Sequence, residues 1–127
     1  MASGVGTVLV VDDEPSLRLL CRVNLELAGL RVLESGTIPE ARRLLDAEPV
    51  DVALLDVHVA GHDGRDLLDE LRAADSPVRV VFLTGSADIR GARLAAADAV
   101  LAKPFEPDEL VSVVQRLVTA TPVDSTM

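Results

Sequence analysis

Thr7-Val8-Leu9-Val10-Val11-Asp12-Asp13-Glu14-Pro15 decides the fold of this chain. An apolar run stops at two carboxylates, and a proline then stands where a helix would begin. A strand with one wet face alternates apolar and polar residues. This one does not, so it reads as buried on both faces, as in a parallel sheet covered by helices. Proline is well tolerated in the first turn of a helix, where its missing N–H costs no hydrogen bond. The stretch is therefore the opening of a βα unit.

The pattern recurs outward along the chain. Apolar runs at 31–33, 50–55, 78–83 and 99–102 alternate with helical segments. The run at 31–33 is short and reads as an edge strand. A first helix is expected from Asp13-Glu14-Pro15 to Gly29, with Leu17, Leu20, Val23 and Leu27 along its apolar side. A second starts at Thr37, where Thr37-Ile38-Pro39-Glu40 matches a capping box, carries Ala41, Leu44 and Leu45, and ends at Pro49. A third follows Gly64 with Leu67, Leu68 and Leu71, and an alanine-rich fourth is expected over about 87–97. The last begins near Pro107 and carries Leu110, Val113, Val114, Leu117 and Val118. Repeated βα alternation predicts one α/β domain, a doubly wound, flavodoxin-like (βα)5 fold with a parallel five-stranded sheet in the order 2-1-3-4-5. Residues 1–6 read as an N-terminal extension, 7–119 as the domain and 120–127 as a flexible polar tail.

Composition limits the function. A net charge of −9 argues against direct nucleic-acid binding and against docking on an anionic membrane. No apolar run reaches the length of a membrane span, and the N-terminus lacks the positive charge of a signal peptide. Cys21 is solitary, which fits a reducing cytoplasm, and its place in an apolar helical pattern reads as a small buried hydrophobe. Lys103 is the only lysine; every other basic side chain is arginine. An ammonium is a compact point charge suited to a single anionic oxygen.

In doubly wound sheets, ligands bind beyond the carboxyl ends of the strands. Those ends here are Asp12-Asp13, Asp56, Thr84 and Lys103-Pro104. Clustered carboxylates raise one another's pKa, and a divalent cation relieves the repulsion. An all-oxygen set with room for water suits Mg²⁺ better than Zn²⁺. A metal, a lysine and a carboxylate nucleophile are also the parts that phosphoryl transfer requires.

With these motifs the chain resembles the receiver domain of two-component response regulators (chemotaxis-regulator-like) over residues 6–119. The resemblance is carried by Val8-Leu9-Val10-Val11-Asp12-Asp13-Glu14-Pro15, Leu54-Leu55-Asp56 with Gly64 eight residues on, Leu83-Thr84-Gly85 and Lys103-Pro104-Phe105. It implies that Asp56 accepts a phosphoryl group from a histidine kinase or histidine phosphotransfer protein. It further implies Mg²⁺ held by Asp13, Asp56 and the His58 backbone carbonyl, with Asp12 acting through water. Lys103 and Thr84 would contact the phosphoryl oxygens, and the Lys103–Pro104 bond would be cis. The expected role is a cytoplasmic phosphoacceptor that assists its own phosphotransfer and dephosphorylation, with no effector domain in the residues after Thr119. Its output would be an unidentified partner protein, a further phosphotransfer step or a domain outside this sequence.

Two departures from the family bear on output. The loop after Asp56 lacks the usual Met-Pro and reads His58-Val59-Ala60-Gly61. His58 and Ser86 occupy positions that tune phosphoryl lifetime in the family; an ordinary exposed loop histidine is the competing reading of His58. Val100 stands three residues before the lysine, where the family usually carries a switching Tyr or Phe. The stretch from Thr84 to Val100 is also short by about one helical turn. These departures keep a second reading open, a pseudo-receiver acting as a constitutive interaction module. A phosphohydrolase is disfavoured, because Asp56-Val57-His58 lacks the Asp-x-Asp-x-Thr arrangement and no cap domain fits.

Overall fold

The computed structural model describes residues 6–85 and 96–119. Element order is β1 (Thr7–Val11), α1 (Pro15–Leu27), β2 (Arg31–Ser35), α2 (Ile38–Ala47), β3 (Val52–Asp56), β4 (His58–Val59), β5 (His62–Asp63), α3 (Gly64–Ala73), β6 (Arg79–Thr84), β7 (Ala99–Ala102) and α4 (Pro107–Thr119). The main sheet runs β2-β1-β3-β6-β7, and its pairings are parallel. Counting only these five strands, the order is the expected 2-1-3-4-5. The flavodoxin-like fold is thus present, with β2 at an edge as the short second run suggested. The expected fourth helix, Ser86 and the C-terminal tail lie outside the described residues.

Alternate side chains of the inner strands feed two cores, which explains their unbroken apolar runs. Leu9, Val11, Ala53, Leu55, Val80 and Phe82 pack with Ile38 and Ala41 of α2 and Leu67 and Leu68 of α3. Val8, Val10, Val52, Leu54, Val81 and Leu83 pack on the other face with Cys21, Leu25, Leu110, Val114 and Leu117. Burial pushes the Cys21 thiol up to about 12, so it is a small hydrophobe as expected. The Thr37 hydroxyl caps α2 by accepting the Glu40 N–H at 3.2 Å.

One helix face differs from expectation. In α1 the fully buried side chains are Cys21 and Leu25, with Leu17 partly buried beside them. Leu20, Val23 and Leu27 instead face outward, together with Leu19. At 100° per residue, 17, 21 and 25 form one stripe, while 19, 20, 23 and 27 form another about a third of a turn or more away. The helix carries two apolar stripes, and the strand-facing one is the stripe that contains the cysteine.

The loop after Asp56 forms a small antiparallel hairpin, with Val59 opposite His62 and His58 opposite Asp63. Its turn is Ala60-Gly61, both at positive φ (48° and 84°), as a two-residue hairpin turn requires. Gly64 then returns so close to the strand that a Cβ there would overlap the Asp56 carbonyl oxygen. Only glycine fits that crossing.

Candidate functional site

Four neighbouring parallel strands point their carboxyl ends at the same edge, and each contributes one part of the site. Asp12 and Asp13 follow β1, Asp56 ends β3, Thr84 ends β6, and Lys103 follows β7. Oxygens of Asp12, Asp13 and Asp56 all lie within 4.8 Å of one another. The Lys103 ammonium stands 2.9 Å from Asp56 Oδ2 and 3.3 Å from Asp12 Oδ2. The Lys103–Pro104 bond is cis, as the resemblance implied.

Each carboxylate is held differently. Asp12 is buried, with 1% of its surface exposed, and its Oδ1 accepts the Glu14 N–H at 2.8 Å. Burial pushes its pKa up to about 6; the Glu14 amide opposes this, the Asp56 carboxylate adds to it, and Lys103 pulls it back. Asp56 is anchored by Lys103, and the His58 N–H lies 3.4 Å from its Oδ1. Asp13 is exposed, and its Oδ2 accepts the Ala60 N–H at 2.9 Å. That amide points at Asp13 because of the hairpin turn, so the loop lacking Met-Pro still organises the site. Burial alone would favour a neutral lysine, but the hydrogen bond to Asp56 and the charges of Asp12 and Asp56 prevail, and the Lys103 pKa is raised.

Thr84 is fully buried; its hydroxyl donates to the Gly85 carbonyl at 3.0 Å, and its own carbonyl accepts the Lys103 N–H at 2.8 Å. Val100 lies on edge strand β7 and is 42% exposed. An apolar depression of about 350 Å³ opens beside Lys103, lined by Glu14, Leu17, Leu20, Pro104 and Phe105. The outward stripe of α1 borders it through Leu20. Sequence reasoning missed Arg18, whose Nη1 donates to the Asp12 carbonyl at 2.6 Å. In a chain whose basic residues are nearly all arginine, nothing in the spacing singles it out.

The donor set is all oxygen, acidic and open on the Asp13 side, and one of its carboxylates carries an unfavourable charge. It fits a hard divalent cation. Fold and cluster together define a receiver of the two-component type, and comparison with known proteins agrees. The response regulator receiver domain family matches residues 8–115. The chain belongs to this family. It is 38% identical over 116 residues to the C4-dicarboxylate transport transcriptional regulatory protein DctD of Pseudomonas aeruginosa, covering 86% of this chain and 24% of that protein. It is 38% identical over 123 residues to the transcriptional regulatory protein AruR of the same organism, covering 90% and 50%. The response regulator TrrA from Thermotoga maritima, solved in complex with Mg²⁺ and BeF, superposes with a TM-score of 0.83 at 29% identity over 89% of this chain and 99% of that one. The chain spans 24% and 50% of the two curated relatives' lengths. Among the described residues, no helix is long and apolar enough to cross a membrane.

Proposed function

We propose that this chain is a working phosphoacceptor in which Asp56 is phosphorylated by a histidine kinase or histidine phosphotransfer protein. The observation that carries the reading is the Lys103 ammonium 2.9 Å from Asp56 Oδ2 beside two further carboxylates. An Asp56 oxygen attacks the phosphorus of a phosphohistidine, the P–N bond breaks, and the imidazole departs with the electron pair and takes up a proton. Asp56 then carries an acyl phosphate. Lys103 exchanges its ion pair with the carboxylate for one with a phosphoryl oxygen. The Thr84 hydroxyl leaves the Gly85 carbonyl for another phosphoryl oxygen, which draws β6 towards the new charge. Bound Mg²⁺ would supply the positive charge that offsets the phosphoryl oxygens. Asp13, Asp56 and the His58 carbonyl would hold it directly, and Asp12 through water. Ser86 and Val100 are the positions at which phosphoryl lifetime and output are modulated.

The outward apolar stripe on α1, next to the depression at Lys103, supports a helical protein partner as phosphodonor, since contiguous exposed apolar surface marks interaction sites. Residues 7–119 serve as the folded unit, and the chain acts in the cytoplasm, passing its signal to a protein partner rather than to DNA directly. The exposed, short side chain of Val100 favours a second reading, a pseudo-receiver whose pocket does not drive a switch. Beryllofluoride with Mg²⁺ distinguishes the two. Amide exchange over residues 84–103 should slow for the wild type and not for Asp56→Asn. No change in the wild type would leave the constitutive module as the better account.

A further inference from the structure

Asp12 is gripped through its backbone from both sides. Its N–H donates to the Ser35 carbonyl at 3.1 Å, and its carbonyl accepts Arg18 Nη1 at 2.6 Å. The guanidinium is itself braced: Arg18 Nε lies 3.2 Å from Glu34 Oε1 on β2. Space for it depends on Gly36, where a Cβ would stand 3.1 Å from Nη1. The second Glu34 oxygen is occupied by Arg22 Nη1 at 3.0 Å.

The consequence falls on Asp13. Asp12 is fixed by burial and Asp56 by its strand, but Asp13 is exposed, and its carboxylate is held by the Ala60 amide. A peptide group is planar, so fixing the Asp12 carbonyl fixes the Asp13 N–H and the direction of the Asp13 Cα. We propose that Arg18, braced by Glu34, is a positioning residue for the carboxylate cluster: its hydrogen bond to the Asp12 carbonyl sets the peptide plane that aims Asp13 towards Asp56. Arg18 holds the Asp12 carbonyl at 2.6 Å, and the Ala60 amide holds the Asp13 carboxylate at 2.9 Å. The proposal rests on the phosphoacceptor reading, because it concerns affinity for the divalent cation that reading requires.

The chain has no Trp or Tyr, so Mg²⁺ binding to the full chain is best followed by titration calorimetry. Arg18→Met keeps much of the stem and removes the donor. It should weaken Mg²⁺ binding about ten-fold or more, the scale seen when groups that orient metal ligands are lost. Arg22→Met loses an ion pair to the same Glu34 without touching Asp12, and should bind Mg²⁺ within about two-fold of wild type. This contrast separates positioning from a general loss of stability. If Arg18→Met does not fold, Arg18→Lys, which cannot span Asp12 and Glu34 together, should still weaken binding by at least about three-fold. Wild-type affinity in the Arg18 variant that folds, or equal weakening in Arg22→Met, overturns this proposal alone. A wild type that binds no Mg²⁺ overturns the phosphoacceptor reading, and this proposal with it.

Discussion

Asp12 has an unusual position in the energetics. Burial moves it from the ordinary 3.8 to about 6, so between those values the folded chain holds a proton that the unfolded chain has released. By linkage, the folded state gains relative stability as pH falls through about 6, and ionised Asp12 opposes folding above that. With divalent cations removed, Asp12→Asn should be more stable than wild type at a pH of about 7.5, by about 1–2 kcal/mol. The margin should vanish near a pH of about 4, where both chains are neutral at this position. Urea melts at the two pH values measure it, and a constant margin would contradict the assignment. Ala60 offers a second test. It holds φ 48° in the hairpin turn, a conformation costing a side-chain-bearing residue about 1 kcal/mol. Ala60→Gly keeps the N–H that serves Asp13, so thermal melts should show at most a small net change. Relief of strain is offset there by the freer unfolded chain. Ala60→Val should melt lower, because branching worsens the same conformation.

Helix α1 shows what an element reveals of itself and what it hides. Its existence and limits are readable from Pro15 and Gly29, but its orientation is not. Leu17, Leu20, Val23 and Leu27 satisfy a helical period as well as Leu17, Cys21 and Leu25 do. Tertiary packing chooses the second stripe, because Cys21 and Leu25 are small and long enough respectively to fit against β1 and α4. Leu25→Ala should therefore cost about 2–5 kcal/mol, and Leu27→Gln within about 0.5 kcal/mol, in chemical denaturation. The reverse ranking would restore the original assignment. The β4–β5 hairpin was invisible for a different reason: two-residue strands are too short to show a period. Its neighbour Gly64 was legible as part of a motif, though its cause emerged only from the crossing over Asp56. Gly64→Ala should lower stability by about 1–3 kcal/mol and displace the Asp56 backbone, which labelling of Asp56 relative to wild type would report.

For the whole molecule, the fold was legible because a parallel sheet covered on both sides forces its strands to be apolar throughout, which is a loud signal. The site was legible for a topological reason, since chemistry gathers where strands end. Asp12, Asp13, Asp56, Thr84 and Lys103 could thus be named from strand ends alone. What remained hidden were contacts made across loops, such as Ala60 to Asp13 and Arg18 to the Asp12 carbonyl, which depend on how distant turns meet. The central claim is that this edge of the sheet takes up a phosphoryl group on Asp56. Intact-mass measurement after incubation with acetyl phosphate tests it most directly. Wild type should gain one phosphoryl group in Mg²⁺ and none in excess chelator, and Asp56→Asn should gain none. An unmodified wild type, or equal uptake by Asp56→Asn, would contradict it.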